Sequence, residues 1–212
     1  MQLSDVEVRI LGCLIEKEAT TPDNYPLSLN ALTNACNQLS NREPVMSLGE
    51  DQVKWAVNSL RQQSLVRAIQ PSDARVMKFQ HLLTEKLDLD PPARAVLCVL
   101  MLRGPQTLGE IKTRTGRLAE LTNLADAEAA INELIALELA VQMVRRPGQK
   151  EIRYAHLLSG PPSEVPAEAQ PDVPAVTTQQ DRIAELEASL DEVRRELAAL
   201  RERFDAFSRQ FS

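Results

Sequence analysis

Two histidines, His81 and His156, and three cysteines, Cys13, Cys36 and Cys98, are the side chains of this 212-residue chain best suited to hold a metal or act as a nucleophile. None has partners at the spacing such chemistry requires. The cysteines are odd in number, far apart, and each set in a helix-like apolar pattern, so they read as buried thiols packed as small hydrophobes, with neither a disulfide frame nor a zinc site. No GxSxG, HExxH, GxGxxG or GxxxxGK(S/T) string occurs. The expectation is a non-enzymatic protein with no catalytic residue, no metal and no cofactor.

Recognition chemistry is better supplied. If Val53, Val57 and Leu60 face inward on one helix at 100 degrees per residue, Asp51, Lys54, Trp55, Asn58, Arg61 and Gln62 face outward. Asn and Gln can read adenine, Arg can read guanine and Lys can meet phosphate, so this face is compatible with duplex DNA. Trp55 also suits a protein interface, or packing against a neighbouring hairpin or domain. Arg42 ahead of that helix, Arg75 and Lys78 in the turn-rich stretch after it, and Arg145, Arg146 and Lys150 in the corresponding later stretch complete the candidate DNA contacts. Net charge is −6 and aromatic residues are 3% of the chain, which argues against bulk-charge coating of polyanions and against rows of stacked bases.

The elements that would position these residues emerge from an internal repeat. KFQHLL at 78–83 returns as RYAHLL at 153–158, offset 75, and AVNSLRQQSLV at 56–66 returns as AINELIALELA at 130–140, offset 74. Upstream, RILGCLI at 9–15 matches AVLCVLM at 95–101, offset 86, and LNAL at 29–32 matches LGEI at 108–111, offset 79. The histidines are repeat-equivalent, which favours shared packing at a strand end over catalysis. Each copy reads as three helices closed by a two-stranded hairpin. Capping boxes are expected at Ser4/Glu7, Ser47/Glu50 and Thr107/Glu110. This is the winged-helix arrangement, a helix-turn-helix variant, and the fold class is therefore mainly α with small β-hairpins. Two tandem winged-helix domains are placed at residues 1–86 and 87–159.

The third helix of the second copy is expected to turn Asp126, Ala129, Asn132, Glu133 and Ala136 outward and carries acids but no base, so it suits a protein partner rather than phosphate. Basic residues of that copy sit instead on its second helix (Lys112, Arg114, Arg117) and in its hairpin. By charge the two copies are close to neutral, with nine basic and ten acidic residues in 1–86 and nine of each in 87–159.

Residues 160–178 hold five prolines, three acids and no base, the composition of a flexible linker. Beyond it, Ile183, Leu186, Leu190, Val193, Leu197, Leu200, Phe204, Phe207 and Phe211 alternate in steps of three and four, an unbroken heptad seam across residues 179–212. The seam predicts a coiled-coil helix and a homo-oligomer of open strand number. The alternatives are a helix folding back on its own domains or lying on a membrane surface, the latter disfavoured by a polar face of mixed charge.

The segment LGCLIEKEATTPDNYPLSLNALTNACNQLSNREPVM at 11–46, with LRGPQTLGEIKTR at 102–114 and RRPGQKEIRYAHLLSG at 145–160, resembles the YceH-like family of uncharacterised bacterial proteins. The likeness covers essentially the whole chain. It implies tandem winged helices in a bacterial cytosol, with no established activity. Leu39 departs from the family pattern, which commonly has Lys there, removing a phosphate contact beside Asn41 and Arg42. The run TTPDNYPLSLN at 20–30 lengthens the first copy's connection; either it gathers Asn24, Tyr25, Asn37, Asn41 and Arg42 for recognition, or its prolines stiffen the crossover while Tyr25 plugs the core.

Taken together, the expectation is a cytoplasmic, self-associating DNA-binding protein of transcription-regulator type, with double-stranded DNA as partner and no membrane association. The alternative is a protein–protein scaffold resembling the paired winged-helix subunits of chromosome-segregation complexes, docking through Trp55 or the acidic helix.

Overall fold

The computed structural model describes residues 2–70, 76–145 and 151–162. The expected linker beyond residue 162 and the heptad seam, with Ile183 through Phe211, lie outside the described residues, as do Arg75, Arg146 and Lys150.

Among the described residues the chain is mixed α and β, with helices and two small antiparallel sheets. The first copy comprises α1 (Asp5–Thr20), β1 (Leu27–Ser28), α2 (Leu29–Cys36), α3 (Glu50–Gln62), β2 (Val66–Ile69) and β3 (Lys78–His81). A short helix, α4 (Leu83–Leu87), follows and spans the boundary the sequence places after residue 86. The second copy repeats the order with α5 (Pro91–Arg103), β4 (Gln106–Thr107), α6 (Leu108–Thr115), α7 (Leu124–Ala136), β5 (Ala140–Gln142) and β6 (Arg153–His156).

Local chemistry explains most helix starts. Ser4 Oγ accepts from Glu7 N–H while Glu7 Oε2 accepts from Ser4 N–H at 2.8 Å, and Thr107 and Glu110 reproduce that reciprocal pair. The box expected at Ser47/Glu50 is not used. Helix α3 starts after Gly49, whose N–H donates to Gln52 Oε1 at 2.8 Å. Helices α3 and α7 stop identically: Ser64 and Glu138, 74 residues apart, take left-handed φ of 56° and 55°. Leu65 N–H then reaches Leu60 O, and Leu139 N–H reaches Leu134 O, closing each helix end in the manner of a Schellman motif.

Each sheet has three strands where the sequence suggested two. The orders are β1-β3-β2 and β4-β6-β5. The extra strand arises because an N-cap residue is extended: Ser28 and Thr107, which cap α2 and α6, have ψ of 164° and 163°. That stretch lies along the open edge of the hairpin, pairing Leu27 with Phe79 and Gln106 with Tyr154. Hairpin register pairs Val66 with His81 and Ala140 with His156, so both histidines end their strands as the repeat implied.

The core is continuous between the copies. Both belong to one compact unit, Met1–Ser163, and α1 packs most extensively against α5. Every residue of α1 from Glu7 to Ile15, and every residue of α5 from Ala95 to Leu102, is buried. A helix enclosed on all sides must be apolar around its whole circumference, which α5 achieves with an eight-residue apolar run. The charged exceptions on α1 are Glu7, which caps the helix, and Arg9, whose guanidinium donates to Cys36 O at 3.1 Å and Pro44 O at 2.7 Å, tying the connection before α3 to the core. Close approach is possible because position 12 is glycine, with the Cys98 thiol 3.4 Å from its carbonyl.

The two histidines carry a pH dependence. His81 Nε2 lies 3.0 Å from Glu18 Oε2, while Nδ1 of both His81 and His156 is buried without a hydrogen-bond partner among the described residues. Protonation would place an unmatched donor there. Burial holds both rings below the ordinary histidine range, and the opposing pull of Glu18 on His81 and of Asp5 on His156 is too weak to reverse it. A group whose folded form resists the proton that the unfolded chain accepts costs no stability above the unfolded pKa and progressively more below it. The urea midpoint is therefore expected to fall between about pH 7.5 and about pH 5.5, and to fall less in the His81→Gln, His156→Gln double variant. An equal fall in both proteins would assign the effect elsewhere. Burial pushes the Glu7 and Glu110 carboxyls up, but Ser59 and then Ser4 at Glu7, and Thr107 with Arg153 and Arg114 at Glu110, hold both below the ordinary carboxylate value, so they respond only at lower pH.

Candidate nucleic-acid interface

Helix α3 stands on α1 and α2 through Val53, Ala56, Val57 and Leu60. Its outward arc is the one the periodicity anticipates: Asp51, Lys54, Trp55, Asn58, Arg61 and Gln62 are all exposed. Trp55 is 78% exposed, so it does not pack against the hairpin or the other copy among the described residues. Within this arc Arg61 Nη1 donates to Asn58 Oδ1 at 3.3 Å, a bond that orients both head groups along one side of the helix. Acids are confined to the first turn, Glu50 and Asp51, where they favour the helix dipole.

On the β2–β3 hairpin, Lys78 is half-buried opposite Ile69 and Ser28. Arg67, which the sequence did not single out, is exposed on β2 opposite Gln80. With the Gln80 amide oriented oxygen-first, its Oε1 accepts from Arg67 Nε at 3.2 Å. The signal for Arg67 was its alternation with buried Val66, legible only once the strand register is known.

Arg42 is the main departure. Expected as a surface contact for phosphate, it is 4% exposed and enclosed. Nη2 donates to Glu16 Oε2 at 2.6 Å and Nε donates to Ala35 O at 3.1 Å, with further bonds to Gln38 and Asn41. Burial works against its charge, yet Glu16 holds its pKa above the ordinary arginine value. It cannot reach a duplex without unfolding the turn. The rest of that polar cluster is likewise structural: Asn37 donates to Leu48 O and accepts from Leu48 N–H, and Tyr25 Oη accepts from His81 N–H at 2.9 Å. Asn24 is exposed. The crossover thus serves the core, with Tyr25 packed against it.

In the second copy, α7 buries Ala127, Ala130, Ile131 and Leu134 and exposes Glu128, Ala129, Asn132 and Ala136, with Leu124 and Leu137 flanking. Asp126, expected outward, is half-buried and turned back to cap the helix, accepting from Thr122 Oγ1 at 2.6 Å. Glu133 is also half-buried. This surface offers no base. Arg145 is exposed at the last described position of its hairpin arm. No group of three metal-ligating side chains forms among the described residues, and no helix there is long and apolar enough to cross a membrane.

Residues 3–149 match the family described as a protein of unknown function, DUF480. The chain is 48% identical over 217 residues to a UPF0502 protein of Pelobacter propionicus, covering 100% of this chain and 99% of the relative. It is 46% identical to a UPF0502 protein of Herminiimonas arsenicoxydans, over 96% of this chain and 88% of the other, and 45% identical to one of Aliivibrio fischeri, over 93% and 94%. The α3 surface and the first sheet fall within residues 3–149, the full repeat with β6 falls within the span shared with the Pelobacter relative, and the chain belongs to this DUF480 family, whose members carry the name UPF0502 protein.

Proposed function

We propose that each copy is a winged-helix unit and that the first copy binds duplex DNA, with α3 in the major groove and the β2–β3 hairpin against the backbone. The observation that carries this is the outward face of α3. Lys54, Asn58, Arg61 and Gln62 are exposed together on a helix whose other side is anchored in the core, so the reading groups are presented by a rigid element. The acidic α7 would meet phosphate with repulsion, which limits base reading to one helix per chain. Two such helices are brought together by self-association through the heptads, and the protein acts as a non-enzymatic regulator of transcription in the cytoplasm.

Anisotropy titration of a labelled random-sequence duplex, beside a solution-mass measurement, tests this. Affinity is expected to fall steeply with salt and to drop about ten-fold or more in the Lys54→Ala, Arg61→Ala double variant, since a bidentate Arg–guanine pair and a phosphate contact are lost together. Absence of binding at about 50 mM salt removes the proposal. A protein-scaffold role is favoured by one observation, the exposure of Trp55 next to an otherwise polar arc. A stoichiometric protein partner lost on Trp55→Ala, with no duplex binding, would select it instead.

A further inference from the structure

A cleft of about 1050 Å³ opens where the two copies meet. Its walls are the C-terminal end of α1, the turn after α2, the C-terminal end of α5, and the end of α6 with the turn that follows. These are equivalent parts of the repeat. Lys17 and Arg103, 86 residues apart, are counterparts, as are Gln38 and Arg117, 79 apart, and all four line the cleft. The internal duplication has thus produced one shared cavity from two matching half-sites.

Its electrostatics are one-sided. Lys17, Arg103, Arg114 and Arg117 contribute four positive groups against a single lining acid, Glu16. That acid is shared: buried Arg42 engages it from behind at 2.6 Å and 3.1 Å, and Lys17 Nζ lies 3.6 Å from its Oε2, so it offsets only part of the lining charge and leaves the three arginines in excess. Two of the cations are held in place. The Arg103 guanidinium donates to Asn41 Oδ1, and Arg114 donates to Gln106 Oε1 and lies 3.3 Å from Glu110. Arg117 is exposed and makes no hydrogen bond or ion pair among the described residues. Burial, then repulsion from Arg114 and Arg42, hold Arg103 below the ordinary arginine value. Like charges gathered in a concave, partly desolvated site are unfavourable until an anion joins them. Preorganised guanidinium groups are well suited to bidentate bonds with phosphate or carboxylate oxygens.

We propose that this inter-repeat cleft binds a small molecule bearing at least two phosphate or carboxylate groups, through Arg103, Arg114 and Arg117 with Lys17. The site is separate from the outward face of α3 and stands whether or not the chain binds DNA. Asn41, which holds Arg103, belongs to the connection leading into α3, so occupancy acts on the segment that positions that helix.

Calorimetric titration of the full chain with inorganic pyrophosphate and, separately, with citrate, at constant ionic strength, tests the assignment. Saturable binding of at least one is expected, and which one binds distinguishes phosphoryl from carboxylate ligands. Affinity should fall about ten-fold or more in Arg117→Gln, which leaves every described bond intact, and further in Arg103→Gln, Arg117→Gln. The Lys54→Ala, Arg61→Ala variant should bind the anion as the parent does, separating this result from the fate of the DNA reading. No saturable binding of either probe, or equal affinity in the cleft variants, would overturn the proposal. So would a cleft that loses duplex affinity on these substitutions while taking up neither small anion.

Discussion

Arg42→Ala is expected to destabilise the protein by about 3–5 kcal/mol, the range for removing one partner of a buried, hydrogen-bonded charge pair. The side chain of Arg42 is 0% exposed and that of Glu16 is 13% exposed. Five hydrogen bonds leave the guanidinium, two to Glu16 and one each to Ala35 O, Asn41 O and Gln38 Oε1. Truncation leaves the carboxylate with only the longer 3.6 Å ion pair to Lys17 and takes a donor from two backbone carbonyls, beside a void the size of the lost side chain. Arg42→Lys should recover little, because one ammonium cannot span a carboxylate and the three other acceptors in the planar fork Arg uses. Urea unfolding of the three proteins is the measurement. A midpoint unchanged in Arg42→Ala would contradict the enclosed placement and return the residue to the surface role its sequence context suggested.

The second large effect is expected at Gly12→Val, at about 2–3 kcal/mol for overpacking a closely fitted junction. A Cβ at position 12 would lie 2.9 Å from Leu102 Cδ2, 3.0 Å from Leu102 Cγ and 3.2 Å from Met101 Cβ. Valine adds two methyl groups beyond that Cβ, so α1 and α5 must move apart and loosen the core shared by the copies. Truncating the opposing side chain should relieve part of the conflict. Leu102→Ala alone is destabilising by the usual cavity cost, but the double variant should be less destabilised than the sum of the singles. Additive effects would show that position 12 and Leu102 are not in contact. Both variants probe the join between repeats, which the anion cleft also depends on; Arg117→Gln tests the cleft without disturbing that join.

Repetition and periodicity carried much of the architecture. Offsets of 74 and 75 placed α3, α7 and both hairpins, because a duplicated packing unit preserves its buried positions while its surface diverges. The outward arc of α3 was legible for the same reason: Val53, Val57 and Leu60 define one side of a helix, and the opposite side follows from 3.6 residues per turn. Capping boxes at Ser4 and Thr107 were readable because both partners lie within one turn. Ser47/Glu50 carried the same pattern and misled, since the helix starts two residues later at Gly49, where the Gln52 side chain supplies a single bond to the N-cap N–H.

Several features depended on contacts that span long stretches of sequence. Nothing local distinguishes Arg42 from an exposed arginine; its burial depends on Glu16, 26 positions earlier, reaching the same turn. The third strand of each sheet required knowing that an N-cap passes beside a hairpin edge. The burial of Ile10 and Gly12 on α1 had no local signal, because the surface that covers α1 on that side belongs to the other copy.

By itself the amino-acid order determined a twice-used helical unit with small β-hairpins, the helix faces that point outward, and a terminal heptad pattern, since these follow from short-range periodicity and self-similarity. Only the tertiary structure decided that α1 and α5 bury one another, that Arg42 is structural, and that Lys17, Arg103, Arg114 and Arg117 converge on one cleft. Convergence of like charges is a property of three-dimensional distance, and a linear chain holds no record of which distant residues its packing will bring within reach.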